Sequence, residues 1–348
     1  MIRLALRQFR TSALIAVGAL VAVAVVVIAT KPHLQDVYDT TVKNCSDRGD
    51  CDQVVRNFMN TDRILRGWLG LLVVVTPGLI GVFWGAPLVA RELETGTFRL
   101  AWTQGVTRTR WLLTKVALVG AASALTAGLV SLAVSWWSGL FDRVGEVGYG
   151  VFDQRDIVPI GHALFGFALG VAAGILWRRV LPALATTLVV FVVVRVGMSL
   201  WVRPHLLGPK VMTNAIHPER TGFGSENGGA MTLMPDGPHL PNAWIHSVDL
   251  LDSAGKAITP EVVAASCPDL AAPPPPTGPR TGTGRASDEF VDALHSCVAK
   301  LGRTYHEVTT YHPADRYWPL QWLELGIYAA AAVVVIAGCV GWLRRRPA

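Results

Sequence analysis

The chain has 348 residues, of which 51% are hydrophobic and only 16% are charged. Polar side chains are too few to cover a soluble globule of this size, so the composition excludes an ordinary soluble domain and favours a protein embedded in a bilayer. The formal net charge is +6, which follows from basic residues flanking apolar segments and requires no nucleic-acid partner.

Six apolar runs are each long enough to cross the hydrocarbon core as a helix, which takes about 20 residues. They cover residues 12–30, 67–89, 112–137, 158–177, 180–202 and 323–343. An even number of spans places both termini on one side of the membrane. The first run follows a basic start, as a signal peptide does, but its apolar core is too long and IATKPH lacks a cleavage pattern, so we expect a retained anchor.

Lys and Arg are distributed unequally between the two sides that these spans define. The side with both termini holds 13 basic and 2 acidic residues, whereas the loops of the opposite side hold 17 basic and 22 acidic residues. Because cytoplasmic loops carry the positive excess, we expect a multi-pass cell-membrane protein with both termini in the cytoplasm. Residues 31–66 and 203–322 are then extracellular.

Four of the five cysteines lie in those two predicted extracellular segments, where disulfides persist. The nearest pairings join Cys45 to Cys51 and Cys267 to Cys297. Four cysteines allow three connectivities, and unpaired thiols are a further alternative.

The segments between spans predict a small amount of further structure. The stretch DQVVRNFMNTDRILRGW has apolar residues near helical spacing and predicts an amphipathic helix before span two. In the long segment before span six, AWIHSVDLLDSAGKAIT alternates and breaks as a hairpin does. There SDEFVDALHSCVAKLG predicts a helix capped by Ser287, and PPPPTGPRTGTGR has linker composition.

These patterns predict an all-α polytopic membrane protein of six transmembrane helices, with a small α+β extracellular domain between spans five and six. The predicted organisation is an N-terminus and first span at 1–30, an extracellular loop at 31–66, spans two to five at 67–202, the extracellular domain at 203–322, and the last span with a basic tail at 323–348.

Besides Lys115 near the start of span three, two charged residues fall inside the predicted spans, Arg195 in span five and Glu324 early in span six. A charge at that depth is costly and is usually paired within the protein. Because both lie at a comparable depth from the extracellular end, we predict an ion pair with a structural or gating role. Snorkelling of Arg195 to the interface and contact with a substrate are the alternatives. We expect His162, at the start of span four, to be a buried histidine with a structural role.

Glycines and one proline mark where spans pack and bend. Gly166, Gly170 and Gly174 recur every four residues in span four, a spacing that lets helices approach closely. Pro77 interrupts the hydrogen-bond ladder of span two and predicts a kink or hinge.

Patterns for catalysis or for a metal centre are missing from the sequence. The histidines of residues 203–322 match no standard zinc spacing, no G-x-S-x-G is present, and the phosphate-binding GxxxxGK[ST] is absent. We therefore expect that the chain is not an enzyme and holds no metal or cofactor itself.

Between spans two and three lies a polar stretch, RELETGTFRLAWTQGVTRTR, at residues 91–110. It begins with charged residues, breaks at Gly96, and then carries Phe98, Leu100 and Trp102 beside further charges. A short amphipathic element tied at both ends to membrane helices acts as a lever, because whatever moves it also moves the spans.

The longer segment GAPLVARELETGTFRLAWTQGVTRTRWLLTK resembles the junction between the second and third spans of ABC-2 type transport permeases. These are the membrane subunits of ATP-binding-cassette exporters, and the likeness is greatest to the actinobacterial type. The closing stretch YHPADRYWPLQWLELGIY, entering a span that ends in RRR, is similar to the same branch. The matching positions of the junction are Arg91, Glu92, Glu94, Gly96, Thr97, Trp102, Thr103, Gln104, Arg108, Arg110 and Lys115.

The resemblance implies that residues of about 91–104 form a coupling helix that seats in a cleft of a nucleotide-binding subunit. The residues that it assigns to this contact are Arg91, Glu92, Glu94, Gly96, Thr97, Phe98 and Trp102. It further implies an ABC ATPase subunit in two copies, which binds the ATP and Mg, and a second permease copy in a homodimer or a related heterodimer.

The function that the resemblance implies is export of a hydrophobic or amphipathic substrate, such as a drug, a peptide antibiotic or a lipid-like compound. The alternative from another class is a membrane-anchored sensor or assembly protein that acts through its extracellular domain.

Overall fold

A computed structural model describes residues 2–45, 51–96, 107–144, 148–225, 231–238, 240–268 and 288–345. Within these ranges six helices are long and apolar enough to cross a membrane, which confirms the predicted number. Numbered one to six, the spans run over Phe9–Val42, Arg63–Thr95, Thr109–Asp142, Val158–Trp177, Val180–Leu206 and Ala314–Arg345. A small strand-containing domain lies between spans five and six, so the predicted fold class is confirmed.

The helical segments are mostly regular, with short π-helical turns inside three spans. The α-helices are Ile2–Val37, Cys51–Asn60, Arg63–Ile80, Ala86–Thr95, Arg108–Asp142, Val158–Trp177, Val180–Gly197, Arg203–Leu206, Pro260–Ser266, Asp288–Leu301 and Tyr317–Arg345. The π segments are Tyr38–Val42, Gly81–Gly85 and Met198–Val202, and 3₁₀ turns lie at Gly148–Gln154, Pro218–Arg220 and Ala314–Arg316. Several spans thus extend beyond the predicted apolar runs, because the run marks the part that suits lipid rather than the place where the helix ends.

The segment between spans one and two packs against the membrane helices. The predicted amphipathic helix forms over Cys51–Asn60, and its Phe58 is buried with its ring centroid 5.2 Å from that of Phe141 in span three. A disulfide joins Cys51 to Cys45, with Cα atoms 5.6 Å apart, and so ties this helix to the end of span one. The nearest pairing predicted for these two cysteines is therefore the one that forms.

Spans two and four approach so closely that their backbones leave no room for side chains. A Cβ placed on Gly81 would lie 2.5 Å from the carbonyl oxygen of Gly166, and one placed on Gly174 would lie 2.7 Å from that of Ala86. The four-residue glycine spacing therefore corresponds to a helix contact, as predicted, and the neighbour is span two.

Pro77 is buried inside the helix Arg63–Ile80, and the π segment Gly81–Gly85 follows directly after this helix. A π segment inserts an extra residue per turn and is frequent at functional sites. The irregular part of span two thus lies against span four, while the hinge role of Pro77 stays a prediction.

Residues Pro209–Ala314 form a second compact unit, here called the loop domain, and the rest of the chain forms the membrane unit. Its strands are β1 (Lys210–Asn214), β2 (Thr221–Ser225), β3 (Met231–Pro235), β4 (Trp244–Asp252) and β5 (Tyr305–His312). β5 is the central strand of an antiparallel sheet of order β1-β5-β4, and β2 pairs antiparallel with β3. In this register Thr309 of β5 lies between Met212 and Val248.

The core of the loop domain lies between the sheet and two helices, Pro260–Ser266 and Asp288–Leu301. Leu250 and Val298 are buried there. A disulfide joins Cys267 to Cys297, with Cα atoms 5.5 Å apart, inside the same core. This is again the nearest pairing predicted for these cysteines.

The predicted hairpin in this domain forms only in part. β4 and the turn form as expected, since Asp252 Oδ1 accepts hydrogen bonds from the backbone N–H groups of Ala254 and Lys256. Beyond the turn a single bridge joins Ala257 to Leu251. The return strand is short because Pro260 starts a helix three residues later. The predicted cap Ser287 and the linker at 273–285 lie outside the described residues.

Candidate functional site

The first candidate region is the junction between spans two and three. The helix Ala86–Thr95 continues span two and ends at Gly96, whose φ of +73° lies in the left-handed region that glycine adopts without strain. Arg91 is exposed on this helix. Of the predicted coupling residues, Thr97, Phe98 and Trp102 lie outside the described residues.

Glu92 connects the junction to span three. Its Oε1 lies 2.5 Å from Nζ of Lys115, whose side chain is only 4% exposed, and the ammonium also lies 4.8 Å from the ring centroid of Trp111. Since a buried ammonium is costly without a partner, this ion pair fixes Lys115 and with it the start of span three. Glu92 therefore faces a contact within its own chain.

Glu94 connects the same helix to span five. Its Oε2 accepts a hydrogen bond of 3.0 Å from the backbone N–H of Val180, the first residue of the helix Val180–Gly197. The first N–H groups of a helix have no partner within it, and a carboxylate there also suits the helix dipole. Glu94 thus supplies a cap from another span, so the junction holds spans two, three and five together.

The second candidate region is a cluster of buried charges at the other end of spans four to six. At its centre Arg203 donates from Nε to Glu324 Oε2 at 2.7 Å and from Nη2 to Glu324 Oε1 at 2.9 Å. Glu324 and His162 are both fully buried, and His162 Nε2 lies 3.2 Å from Glu324 Oε1. The predicted buried histidine therefore has a carboxylate partner in span six.

Asp153 joins the cluster from the link between spans three and four. Its carboxylate accepts from Arg203 Nη2 at 2.5 Å and Nη1 at 3.2 Å. Burial alone would raise the pKa of Asp153, but the charges of Arg203 and Arg195 outweigh it and hold this pKa below its usual range. Asp153 is therefore ionised at neutral pH and balances one of the two arginines.

The predicted direct pair of Arg195 with Glu324 is wrong. Arg195 Nη2 lies 3.6 Å from Asp153 Oδ1, and its Nη1 donates to the carbonyl oxygen of Val74 at 3.4 Å. Glu324 instead takes Arg203, which occupies both carboxylate oxygens in the fork geometry that a guanidinium offers. Arg195 and Glu324 share one network, with Asp153 and Arg203 between them.

Sequence reasoning missed Arg203 and Asp153 for identifiable reasons. Arg203 follows the apolar run of span five and passes for an interfacial residue, and Asp153 lies in a short link that carries several charges. The helix of span five, however, continues to Leu206. A helical projection carried past the apolar run places Arg203 and Arg195 on similar faces of span five, two turns apart.

Hydrogen bonds next to the cluster fix the link between spans three and four. Gln321 of span six is fully buried, accepts from the backbone N–H of Val158 at 3.0 Å, and donates to the carbonyl oxygen of Phe152 at 3.1 Å. Arg155 Nη1 lies 2.6 Å from Asp142 Oδ1. These contacts hold Asp153 where it meets the arginines.

A metal ion is not needed to explain this arrangement. One possible ligand atom from each of Asp153, His162 and Glu324 lies within 4.8 Å of the other two. The guanidinium of Arg203, however, already contacts both carboxylates. Because a cation at that place would meet the positive charge of Arg203, the geometry fits a closed ion-pair network better than a metal site.

Comparison with known proteins identifies the membrane unit. A family model described as ABC-2 membrane transporter related matches residues 17–203, which include most of spans one and five and the whole of spans two to four. Of the two candidate regions, the match leaves out the residues of span six. No curated protein matches the chain, and no solved structure does. With six spans and a family match over more than half of its length, the chain belongs to the ABC-2 membrane transporter related family and is a multi-pass ABC transporter permease.

Proposed function

We propose that this chain is the permease subunit of an exporter that moves a hydrophobic or amphipathic substrate out of the cell. Its family supports a permease that associates with an ABC ATPase subunit. The proposal adds that the ATPase is a separate subunit in two copies that binds the ATP and Mg, and that two permease copies assemble. This chain itself then has no ATPase activity.

The observation that carries the proposal is the pair of carboxylates at the junction. Glu92 binds Lys115 of span three and Glu94 caps span five, while their own helix continues span two. A displacement of this helix by a nucleotide-driven partner acts on three spans at once. The junction is therefore a suitable place for ATP binding to reshape a path through the membrane.

The charge cluster gives the opposite end of the spans a separate role. It joins spans five and six to the link before span four through Asp153, Arg203 and Glu324, and His162 adds span four through its contact with Glu324. In the proposed cycle these ion pairs close the outer end until the spans separate there. Because the two arginines are balanced by the two carboxylates, the cluster offers no net charge for an ionic cargo, and an uncharged or amphipathic substrate is favoured.

The proposed orientation places both termini and the junction in the cytoplasm of the cell. The excess of basic residues on that side supports it. The disulfides Cys45–Cys51 and Cys267–Cys297 lie on the opposite side and suit an oxidising compartment.

Capture of the full chain from its own membranes tests the proposed function. We expect an ABC ATPase to co-purify and its ATP hydrolysis to rise with transported compounds. Recovery of the folded, disulfide-bonded chain without any ATPase would contradict the permease role and favour the sensor or assembly protein.

Two substitutions on the junction helix separate binding of the ATPase from coupling. Arg91→Gln changes an exposed side chain, and we expect less ATPase to co-purify. Glu94→Ala removes the cap of span five, and we expect the ATPase to remain bound while substrate no longer stimulates hydrolysis. Equal behaviour of the two variants would contradict the coupling role of Glu94.

A further inference from the structure

The loop domain contains a cleft that the proposed export cycle does not use. It has a volume of about 400 Å³ and is lined, among the described residues, by His217, Pro218, Arg220 and His295. Three of these four side chains carry N–H donors, and none of the four is acidic. The lining therefore suits a ligand that accepts hydrogen bonds and is negatively charged.

The disulfide-bonded core of the domain holds both walls of this cleft in place. His217 directly follows Ile216, and His295 precedes Cys297 by two residues; Ile216 and Cys297 are both buried in that core. The turn that carries His217 is closed by a hydrogen bond of 2.9 Å from Thr221 Oγ1 to the His217 carbonyl oxygen. Both histidines thus lie next to residues of the disulfide-bonded core.

The guanidinium of Arg220 donates to a backbone carbonyl oxygen. Its Nη1 donates to the carbonyl oxygen of Gly237 at 3.4 Å, and its own carbonyl oxygen accepts from the N–H of Asp236 at 2.8 Å. Among the described side chains no carboxylate oxygen lies within 4.0 Å of its guanidinium. The charge of Arg220 is therefore not neutralised by an ion pair with those residues.

We propose that this cleft binds a phosphate group. A guanidinium presents parallel N–H donors that match the oxygens of phosphate, and two imidazoles on the facing walls supply further donors. The phosphate belongs either to a soluble molecule or to a lipid head group, and the same three side chains serve both. This site does not depend on the direction or cargo of the proposed export.

The test uses the full chain with ¹³C-labelled histidine in maltoside micelles, which contain no phosphate. The His217 and His295 signals are assigned with H217Q and H295Q, and inorganic phosphate is titrated. We expect both signals to shift while that of the exposed His306 does not. Shifts of all three histidines together, or of none, would overturn the proposal.

A matched pair of arginine variants separates a site from general attraction to positive charge. Loss of one charge-assisted hydrogen-bond donor lowers affinity by about tenfold or more, so we expect that loss for Arg220→Gln. Arg303→Gln removes the same charge from an exposed position of the same domain and should leave binding unchanged. Equal losses in both variants would overturn the proposal.

A second arm distinguishes the sources of the phosphate. The labelled chain is placed in phospholipid nanodiscs without free phosphate. If the His217 and His295 signals shift there as well, the head group reaches the cleft. If they shift only with added phosphate, the ligand is a soluble phosphate compound.

Discussion

Arg203 is the residue on which the buried charge cluster depends, because its guanidinium contacts both Asp153 and Glu324. Removing one partner of a buried ion pair leaves the other charge desolvated and unpaired, which costs about 3–5 kcal/mol. Replacing both partners with apolar residues of similar volume removes that penalty. The cluster therefore predicts strong energetic coupling between Arg203 and Glu324.

A double-mutant cycle measures this coupling. We expect Arg203→Met to lower the free energy of unfolding by about 3–5 kcal/mol. The double variant with Glu324→Met should lose clearly less free energy of unfolding than the two single variants lose together. Thermal unfolding of the full chain in nanodiscs provides the comparison.

Arg195 provides the control for that cycle, because it contacts Asp153 and not Glu324. The combination of Arg195→Met with Glu324→Met should show a smaller coupling energy than the Arg203 pair. If Arg195 couples to Glu324 more strongly than Arg203 does, the observed pairing is wrong.

The contacts of Asp153 predict that the thermal stability of the chain falls at low pH. The pKa of Asp153 is lowered from an ordinary value of 3.8 in the folded chain, so its contribution to stability is fully present above that value. The contribution is lost as the pH falls through the lower pKa of the folded state. We expect thermal stability to fall below about pH 3.8 and the fall to be smaller in Asp153→Asn. If the original chain and Asp153→Asn lose thermal stability equally at low pH, the ionised Asp153 does not stabilise the fold.

Which residues are buried and charged can be predicted from the sequence, but which of them pair cannot. The depth of Arg195 and Glu324 places both near the same end of the spans and leads to one shared network. The partner of Glu324 is instead Arg203, 121 positions away. That choice depends on the helical extension of span five and on where the link places Asp153, neither of which leaves a periodic signal.

Among the contacts between helices, the one between spans two and four leaves no room for a larger residue at its glycine positions. A Cβ on Gly170 would lie 2.6 Å from the backbone nitrogen of Ala86, so even a methyl group forces the helices apart. Such a contact is too close for a neighbouring backbone to yield without a shift of the whole helix.

Gly170→Ala is therefore expected to lower thermal stability and transport. Gly67→Ala in span two meets nothing within 4 Å, and this control should be neutral or slightly stabilising because alanine favours the helix. Comparison of the two variants by thermal unfolding in nanodiscs is sufficient. Equal stability of the two would show that spans two and four are not in close contact.

The spans were more predictable than the loop domain because a membrane helix carries its signal in about 20 consecutive residues. The four-residue glycine spacing indicates a close helix contact, but it does not identify the neighbouring span. In the loop domain, by contrast, AWIHSVDLLDSAGKAIT gave one full strand and a turn, and Pro260 ended the return strand early. Central β5 pairs with strands about 60 and 100 positions away, and such long-range pairing has no local signature.

At the scale of the whole molecule, the family match and the fold divide the chain similarly. The match ends at residue 203, shortly before the loop domain begins at Pro209. The part of the membrane unit that the chain shares with its family is therefore residues 17–203, and span six lies outside the match. The loop domain, with its own core and disulfide, is the part for which we propose a separate ligand.

An ATPase can move the junction between spans two and three only if this junction faces the cytoplasm. A single cysteine tests this directly, introduced by Thr97→Cys in a background of Cys339→Ala. The four remaining cysteines are held in disulfides. Ser253→Cys, at an exposed turn of the loop domain, provides the matched control.

A membrane-impermeant maleimide is then applied to intact cells and to opened cells. We predict that the cysteine at position 97 reacts only after the cells are opened, whereas the one at position 253 reacts in both. Labelling of position 97 in intact cells would place the junction outside the cell and contradict its coupling to a cytoplasmic ATPase.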